Sequence, residues 1–197
     1  IYQPVNPIYY QKPMERADLP PYLLYAGSVN SRKNLLGVVK AMELMPKDLQ
    51  LPLVVVGGGG SYKQKVKQYI AEKGMESRVM WPDMMDADGL KRLYTNAEML
   101  VYPSFYEGFG LPVVEAQLCG CPVVTSNVSS LPEAGGPFAL QADPNSPEDI
   151  CEKMTRLLTD TELRQKTIEG GRQYASETFD PRKLARQLMG VYEKLKN

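Results

Sequence analysis

Short apolar runs along the chain alternate with longer segments in which apolar residues recur every three or four positions. The runs read YLLYAG, LPLVVV, SRVMW, EMLVYPS, PVVTSN and GPFALQA. Segments such as RKNLLGVVKAMELM and SYKQKVKQYIAEKG, which lie between them, have the helical period. Alternating strands and helices predict right-handed βαβ units, and the continuous apolar run before the four glycines is typical of a parallel strand covered on both faces.

The pattern therefore predicts an α/β fold, namely a Rossmann-like, doubly wound parallel sheet of about six strands. Extra C-terminal helices are predicted from Pro147 onwards, the last of them opened by Asp180-Pro181 and carrying apolar residues at 184, 188, 191 and 195. Ser61 is the predicted N-cap of the second helix. The domain is predicted to span residues 21–197. Residues 1–20 are proline-rich without a period, and we expect them to be a linker from an N-terminal domain.

Composition narrows the class of protein. The 197 residues are 43% hydrophobic and 23% charged, with a formal net charge of zero, which is typical of a globular domain without a general attraction for nucleic acid or anionic membranes. No apolar run approaches the ~20 residues that span a bilayer. Because the sequence starts IYQPVNPIYY, without methionine, we expect it to be part of a longer protein.

Cysteine and histidine usage excludes several chemistries. The three cysteines lack C-x-x-C spacing and the chain has no histidine, so a zinc site is not expected, and neither is a Ser-His-Asp triad. Buried, reduced thiols in a cytosolic protein are the preferred interpretation.

The loop GSVNSRKN, after the first strand, is the first candidate site. Gly27 allows a tight exit from the strand, and Arg32, Lys33 and Asn34 follow at the predicted start of a helix. Cations oppose the dipole at a helix start, but a bound phosphate would resolve that conflict. The alternative is that these residues are solvated surface charges.

The glycine run VVVGGGGS resembles a dinucleotide-binding fingerprint but does not match it. Counting from Gly57, the pattern G-x-G-x-x-G requires a glycine where Tyr62 stands, and no G-K-[ST] follows as in a P-loop. Either these glycines let the backbone approach a ligand closely, or they only form a turn.

The stretch EGFGLPVVE places Glu107 and Glu115 on either side of a glycine loop that leads into a helix. Carboxylates repel phosphate but accept hydrogen bonds from paired hydroxyls, so together with the basic loop they favour a sugar nucleotide as ligand. The alternative is again two solvated charges. The DADG motif, which begins at Asp86, has the D-x-D form of some metal sites, but its position predicts a helix cap.

Taken together, EGFGLPVVE, RKN, TSNVSSLPEAGG and DPNSPEDI resemble the C-terminal, donor-binding half of the retaining GT-B glycosyltransferases of group 1, also called family 4. The resemblance runs from Tyr22 to the C-terminus, and GSVNSRKN is similar to versions of the loop in mannosyltransferase-like members.

The resemblance implies roles for matching residues. Lys33 would bind the donor diphosphate and stabilise the departing charge, Glu107 would contact the transferred sugar, and Glu115 the ribose diol. Lys33 and Glu107 are the implied catalytic residues. The implied donor-binding set is Gly27, Ser28, Arg32, Lys33, Gly57, Pro82, Asp83, Met84, Glu107, Gly108, Phe109, Gly110, Leu111, Pro112 and Glu115.

The resemblance also implies the donor, the acceptor domain and the location of the reaction. The donor would be a GDP-, UDP- or ADP-sugar, with no metal or other cofactor and no nucleic acid. The acceptor would bind a missing N-terminal domain of the same protein, and this fragment alone would be inactive. The whole protein would be cytoplasmic, with membrane association possible through the missing half.

The sequence departs from the family pattern at two places. Many members have G-R where this chain has Gly27-Ser28, which leaves Arg32 as the candidate second phosphate-binding cation. In the V-x-F-x-G element, Trp81 stands for the aromatic residue and Asp83 for the glycine. Backbone contacts to the base are expected from Pro82 to Met84.

Two other functions fit the same residues. In a glycoside hydrolase, Glu107 and Glu115 would act as the acid and base pair. In a non-catalytic nucleotide-binding module, Lys33 would bind phosphate without any transfer.

Overall fold

The computed structural model describes residues 2–12 and 14–195. Its strands are β1 (Leu23–Ala26), β2 (Leu53–Val56), β3 (Val79–Met80), β4 (Met99–Tyr102), β5 (Val123–Ser126) and β6 (Leu140–Ala142). Its helices are α1 (Leu35–Leu44), α2 (Ser61–Glu72), α3 (Ala87–Asn96), α4 (Leu111–Leu118), α5 (Leu131–Gly135), α6 (Pro147–Thr159), α7 (Thr161–Thr178) and α8 (Pro181–Leu195). The predicted α/β fold with extra C-terminal helices is confirmed.

The six strands form one parallel sheet in the order β3-β2-β1-β4-β5-β6. Leu23 of β1 is the register partner of Leu53 on one side and of Met99 on the other. The strand order reverses between β1 and β4, so the loops that leave these two strands diverge to opposite faces of the sheet. In open parallel sheets the crevice at such a switch point is where ligands bind.

The sheet is covered on both faces, as the doubly wound prediction requires. Leu23 and Tyr25 pack into a core with α1, α2 and α6, whereas Leu24 and Ala26 pack into a second core with α3, α4 and α5. All four β1 side chains are buried. Burying each large apolar side chain contributes about 1.5–3 kcal/mol, which explains why the strands read as unbroken apolar runs.

The cysteines lie in these cores. Cys119, Cys121 and Cys151 are all buried and unpaired, as predicted. Burial raises the pKa of the Cys119 thiol to about 12, so it stays protonated and unreactive at neutral pH.

Helix starts agree with the predicted caps, with one exception. Asp86 caps α3 by accepting a hydrogen bond from the backbone N–H of Gly89 at 2.8 Å, so the prediction of a cap for DADG is confirmed. The prediction that Ser61 caps α2 is wrong, because Ser61 is already inside the helix. The helical ladder begins one residue earlier, where the carbonyl of Gly60 accepts from the N–H of Gln64 at 3.3 Å.

The N-terminal segment 2–12 packs against the domain. It forms a 3₁₀ turn, Pro7–Tyr10, and buries the side chains of Val5 and Tyr9 in the second core. The Tyr10 hydroxyl donates to the carbonyl of Phe179 at 2.6 Å. The segment is thus part of the folded unit, and its role as a linker from another domain stays a prediction.

The last helix leaves much of its apolar surface uncovered. Leu184 of α8 is buried, but the predicted apolar positions Leu188, Val191 and Leu195 are exposed, and so are Met189 and Tyr192. The predicted helix exists, yet most of its apolar residues do not pack on this domain. Across the described ranges, no helix has the length and apolar character needed to cross a membrane.

Candidate active site

Two loops meet at the switch point, and their charged side chains form a three-membered ion cluster. Glu107, from the loop after β4, lies 2.9 Å from the ammonium of Lys33 and 2.7 Å from the guanidinium of Arg32, which both follow β1. The side chain of Lys33 is only 11% exposed and that of Glu107 only 10%, whereas Arg32 is 42% exposed. The two predicted catalytic residues are therefore in direct contact, and both side chains are largely buried.

Further hydrogen bonds hold the carboxylate of Glu107. Oε1 accepts from the hydroxyl of Tyr102 at 2.8 Å and from that of Ser104 at 3.1 Å, and the Lys33 ammonium also donates to the Tyr102 hydroxyl. Burial alone would raise the pKa of Glu107, but hydrogen bonds from Arg32, Lys33 and Tyr102 outweigh it and hold the pKa below its usual value. Glu107 is thus an anion fixed in one orientation.

The β1–α1 loop is shaped by two asparagines. The side chain of Asn30 accepts from the N–H of Lys33 at 3.2 Å and caps a 3₁₀ turn, Ser31–Lys33. Asn34 has a left-handed φ of 56° and caps α1 through Gly37. The expectation that Arg32 and Lys33 start the helix is corrected, because they lie on the 3₁₀ turn and α1 begins at Leu35.

Asn34 also joins three loops of the site. Its amide donates to the carbonyl of Pro103 after β4 at 3.1 Å and to that of Pro144 after β6 at 2.7 Å. The asparagine of the RKN motif is thus a buried connector, while Lys33 beside it carries the charge.

Gly27 and Gly57 lie back to back where β1 and β2 end. Gly27 has a φ of +134°, and a Cβ there would lie 3.2 Å from the Lys33 ammonium. Gly57 has a φ of +155°, and a Cβ there would lie 1.9 Å from the carbonyl oxygen of Gly27. The turn therefore requires glycine at 57 whatever ligand binds. Gly58 and Gly60, in contrast, border open space, since a Cβ added at either would meet no atom of the described residues within 4 Å.

The glycine loop after Glu107 forms the floor of a cleft. Gly110 has a φ of +107° and precedes α4, and Pro112 lies in the first turn of that helix as predicted. The cleft has a volume of about 270 Å³ and is lined by Gln3, Lys33, Tyr102, Glu107, Gly108, Phe109, Gly110, Leu111 and Pro112. Seven of these nine residues belong to the predicted set, so its central part comes together around one cavity.

Serines of the β5–α5 loop fix the backbone of this glycine loop. The Ser129 hydroxyl accepts from the N–H of Glu107 at 3.2 Å and donates to its carbonyl at 2.7 Å. The Ser130 hydroxyl lies 2.9 Å from the carbonyls of both Glu107 and Phe109. These bonds explain what the TSNVSS segment does, since they tie the backbone of Glu107 and Phe109 to the β5–α5 loop.

Glu115 occupies a different environment from Glu107. It lies on α4, and its Oε2 accepts a hydrogen bond from the hydroxyl of the fully buried Tyr94 at 3.1 Å. Burial raises the pKa of Glu115, and the hydrogen bond from Tyr94 only partly offsets this. In the described part of the chain no cation pairs with this carboxylate, so its remaining acceptor positions are available to a ligand.

Other predicted residues lie outside the ion cluster. Ser28 is exposed, and its hydroxyl accepts from the Asn30 amide at 3.1 Å. Pro82, Asp83 and Met84 follow β3, two strands away from β1, and Met84 is 75% exposed. Their predicted contacts to a base stay a prediction.

Sequence reasoning missed the two tyrosines, Tyr94 and Tyr102, that hold the glutamates. Both occupy buried apolar positions of a helix and a strand, where the pattern indicates core. Ser104 was also missed, and Ser129 and Ser130 were recognised only as part of the TSNVSSLPEAGG motif, without a role of their own. A further signal was that several hydroxyl residues follow neighbouring strands at the edge where ligands bind.

The chain matches a known protein family over most of its length. The family model described as "Glycosyl transferases group 1" matches residues 10–174. The O-antigen chain mannosyltransferase B of Escherichia coli is 40% identical over 147 residues, which are 73% of this chain and 38% of that protein. The chain thus spans well under half the length of this relative.

Solved structures of other proteins share the fold of this chain. The Anabaena protein HepE, in complex with UDP and glucose, has a TM-score of 0.81 at 20% identity, and the alignment covers 88% of this chain and 48% of HepE. The C-terminal domain of the group 1 glycosyl transferase LpcC from Francisella tularensis has a TM-score of 0.71 at 23% identity, with 81% of this chain and 87% of that domain covered.

Proposed function

The chain belongs to the group 1 glycosyltransferases, as a C-terminal donor-binding domain of the GT-B fold, and we propose that it binds a nucleotide-diphosphate sugar whose hexose is transferred with retention of configuration. The observation that carries this proposal is the contact between Lys33 and Glu107 at the switch point. It joins a cation suited to a diphosphate with a carboxylate suited to sugar hydroxyls.

Lys33 and Arg32 supply the positive charge for the diphosphate. In a crevice where Lys33 is almost fully buried, its charge is poorly screened, so it stabilises the negative charge that develops on the leaving phosphate. Two cations here do what a divalent metal ion does in other transferases, so the proposed reaction needs no metal. Arg32 takes the place of the arginine that many relatives carry beside the first glycine.

The two glutamates contact opposite ends of the donor. Glu107 contacts the transferred sugar beside the reacting bond, and Glu115 accepts hydrogen bonds from the ribose hydroxyls. The backbone N–H groups from Phe109 to Leu111, at the start of α4, bind the phosphate and sugar between them. Rate acceleration then comes from electrostatic stabilisation and positioning.

Mannose is the favoured hexose, with glucose as the alternative. The E. coli relative, at 40% identity, is named a mannosyltransferase, and HepE, which shares the fold, is described with UDP and glucose. The base of the donor, whether guanine, uracil or adenine, is left to experiment. A role in polysaccharide or glycoconjugate synthesis is part of the same proposal.

Hydrolysis by the two glutamates is disfavoured by their surroundings. Glu107 is already paired with Lys33 and Arg32, two cations that suit a diphosphate and that hydrolysis of a simple glycoside does not require. A nucleotide-binding module without catalysis remains the second candidate, and it differs from a transferase only in turnover.

The proposal includes a second, acceptor-binding domain in the whole protein, because the 147 aligned residues make up only 38% of the E. coli relative. We expect no transfer by the chain alone. The cytoplasmic location and any peripheral attachment to a membrane through the acceptor domain belong to the same proposal.

Isothermal titration calorimetry of the chain with UDP, GDP and ADP tests the donor site, with Lys33→Ala and Glu115→Ala as variants. We expect a preference for one nucleotide and weaker binding in both variants. Binding to none of the three, by this chain and by a longer protein that includes the preceding domain, would overturn the proposal. Binding without any transferase activity in the longer protein would favour the non-catalytic module.

A further inference from the structure

We infer that Tyr94 is a positioning residue for the ribose site, which orients the carboxylate of Glu115 toward the ribose hydroxyls of the donor. This inference rests on the proposed function and extends it to a residue on a different helix, α3. Tyr94 would not touch the nucleotide itself. It acts through Glu115, to which its hydroxyl donates a hydrogen bond at 3.1 Å.

The Tyr94 hydroxyl has few possible hydrogen-bond partners besides Glu115. The side chain is 0% exposed, so water does not compete for the hydroxyl. Among the hydrogen bonds of the described residues, the one to Glu115 is the only one that this hydroxyl makes. Because leaving a buried phenol unpaired is costly, the bond fixes the carboxylate end of the Glu115 side chain.

The number of acceptor positions left on the Glu115 carboxylate fits a diol as its ligand. An ionised carboxylate has about four acceptor positions. Tyr94 uses one position of Oε2, and no other side chain in the described ranges donates to Glu115. Two neighbouring hydroxyls, such as those of a ribose, fit the remaining positions without displacing Tyr94.

The N-terminal segment holds Tyr94 in turn. The ring of Tyr9 packs edge-on against the ring of Tyr94, with centroids 6.0 Å apart. The buried ammonium of Lys91, on the same helix as Tyr94, donates to the carbonyl of Ile8 at 2.9 Å and ties the turn to α3. Residues 7–10 therefore form the outer support of the ribose site, although they lie far from it in sequence.

The test compares a ribonucleotide with its 2′-deoxy analogue. The nucleoside diphosphate that the chain prefers among UDP, GDP and ADP is titrated beside its 2′-deoxy form into wild type and Tyr94→Phe. Tyr94→Phe keeps the ring and removes the hydrogen bond. We expect it to lower the ratio of ribo to deoxy affinity about three- to tenfold, the range that one hydrogen bond supports.

A matched control separates positioning from stability. Tyr22 is also buried, and its hydroxyl donates to the carbonyl of Leu93 on α3 at 2.9 Å, with no hydrogen bond to a carboxylate of the residues that the structure describes. Tyr22→Phe therefore loses a comparable bond near the same helix, and we expect it to leave the ratio unchanged. In a Glu115→Ala background, Tyr94→Phe is expected to have no further effect on the ratio.

The outcomes are distinguishable. If wild type discriminates between the two nucleotides and Tyr94→Phe discriminates equally well, or weakens both to the same extent, the inference is wrong and the donor site stands. If wild type binds none of the nucleotides, or binds both forms equally, the proposed role of Glu115 fails and the inference fails with it.

Discussion

Lys33 and Glu107 form an ion pair, with 2.9 Å between the ammonium nitrogen and Oε1, in the crevice where the strand order reverses between β1 and β4. The cation that we propose as the diphosphate ligand is thus paired with a carboxylate. The pair offsets the cost of burying either charge alone. In the proposed function a diphosphate would compete with Glu107 for Lys33, and the hydrogen bonds from Tyr102 and Ser104 would still hold the carboxylate.

Replacing Lys33 with alanine is expected to weaken nucleotide diphosphate binding at least tenfold. A hydrogen bond to a charged group contributes about 1.5–3 kcal/mol, and tenfold in affinity corresponds to about 1.4 kcal/mol. Calorimetric titration measures the change. Lys65→Ala is the control, because Lys65 is an exposed residue of α2. Equal affinities of Lys33→Ala and wild type would remove Lys33 from the phosphate site.

Glu107→Gln is expected to destabilise the fold at neutral pH and much less in acid. The folded pKa of Glu107 lies below the ordinary value of 4.5, so its ionisation contributes stability that is present above 4.5 and is lost as the pH falls through the folded pKa. The variant leaves Lys33 and Arg32 without their anion, at a cost of about 1–3 kcal/mol for a partly solvated pair.

Urea unfolding of wild type and Glu107→Gln between pH 3 and pH 7 measures this difference. The gap in free energy of unfolding should be widest near neutrality and should close below pH 4.5, the ordinary value for a glutamate. A gap that is independent of pH would mean that the loss comes from packing and that the ion cluster contributes little.

Glu115→Gln is expected to have the opposite effect on stability. Burial raises the pKa of Glu115 above 4.5, so the folded state favours the protonated form, and stability is lost as the pH rises from 4.5 through the folded pKa. Gln is neutral and still accepts from Tyr94. The variant should therefore be more stable than wild type at neutral pH, by about 0.5–1 kcal/mol, and equal to it in acid.

The same variant should bind nucleotide more weakly, since a neutral amide is a poorer acceptor for hydroxyls. Glu76→Gln, at an exposed position, is the control and should change neither quantity. Gained stability together with lost affinity is typical of a residue kept for function. A Glu115→Gln variant that is less stable at neutral pH would contradict this account of the carboxylate.

Much of the fold could be predicted because it depends on local pattern. Apolar runs and helical periods located the six strands and every helix except the short α5, and the parallel arrangement placed the loops with Lys33 and Glu107 at one edge of the sheet. Strand order could not be predicted, because periodicity does not say which strands are neighbours. That order is what brings Glu107 onto Lys33, so their direct pairing was missed.

The sequence also could not predict which groups the buried hydroxyls contact, or which apolar surfaces the rest of the domain covers. Tyr94 and Tyr102 look like ordinary core aromatics in sequence, and only the tertiary structure shows which carboxylate each hydroxyl reaches. The N-terminal segment has no period, yet Tyr9 is buried. Helix α8 has a clear period, yet most of its apolar residues are exposed, because a period predicts a helix without naming what covers it.

The glycine run after β2 has two roles that alanine substitutions can separate. Gly57→Ala should destabilise the chain by about 1–3 kcal/mol or more. Alanine at a φ of +155° is strained, and its Cβ would overlap the carbonyl of Gly27. Gly58→Ala should leave stability within about 0.5 kcal/mol, because its Cβ would point into open space. Thermal or urea unfolding distinguishes the two variants.

Nucleotide titration of Gly58→Ala then tells whether that open space receives a ligand. If the backbone at Gly58 lies against the donor, an added methyl group excludes close approach, and we expect affinity to fall at least threefold while stability is unchanged. Gly74→Ala is the control for backbone strain without a clash. Gly74 has a φ of +64° and open space around its Cβ, and it lies at the end of α2, away from the cleft. Wild-type affinity in Gly58→Ala would mean that the glycines make the turn between β2 and α2 and nothing more.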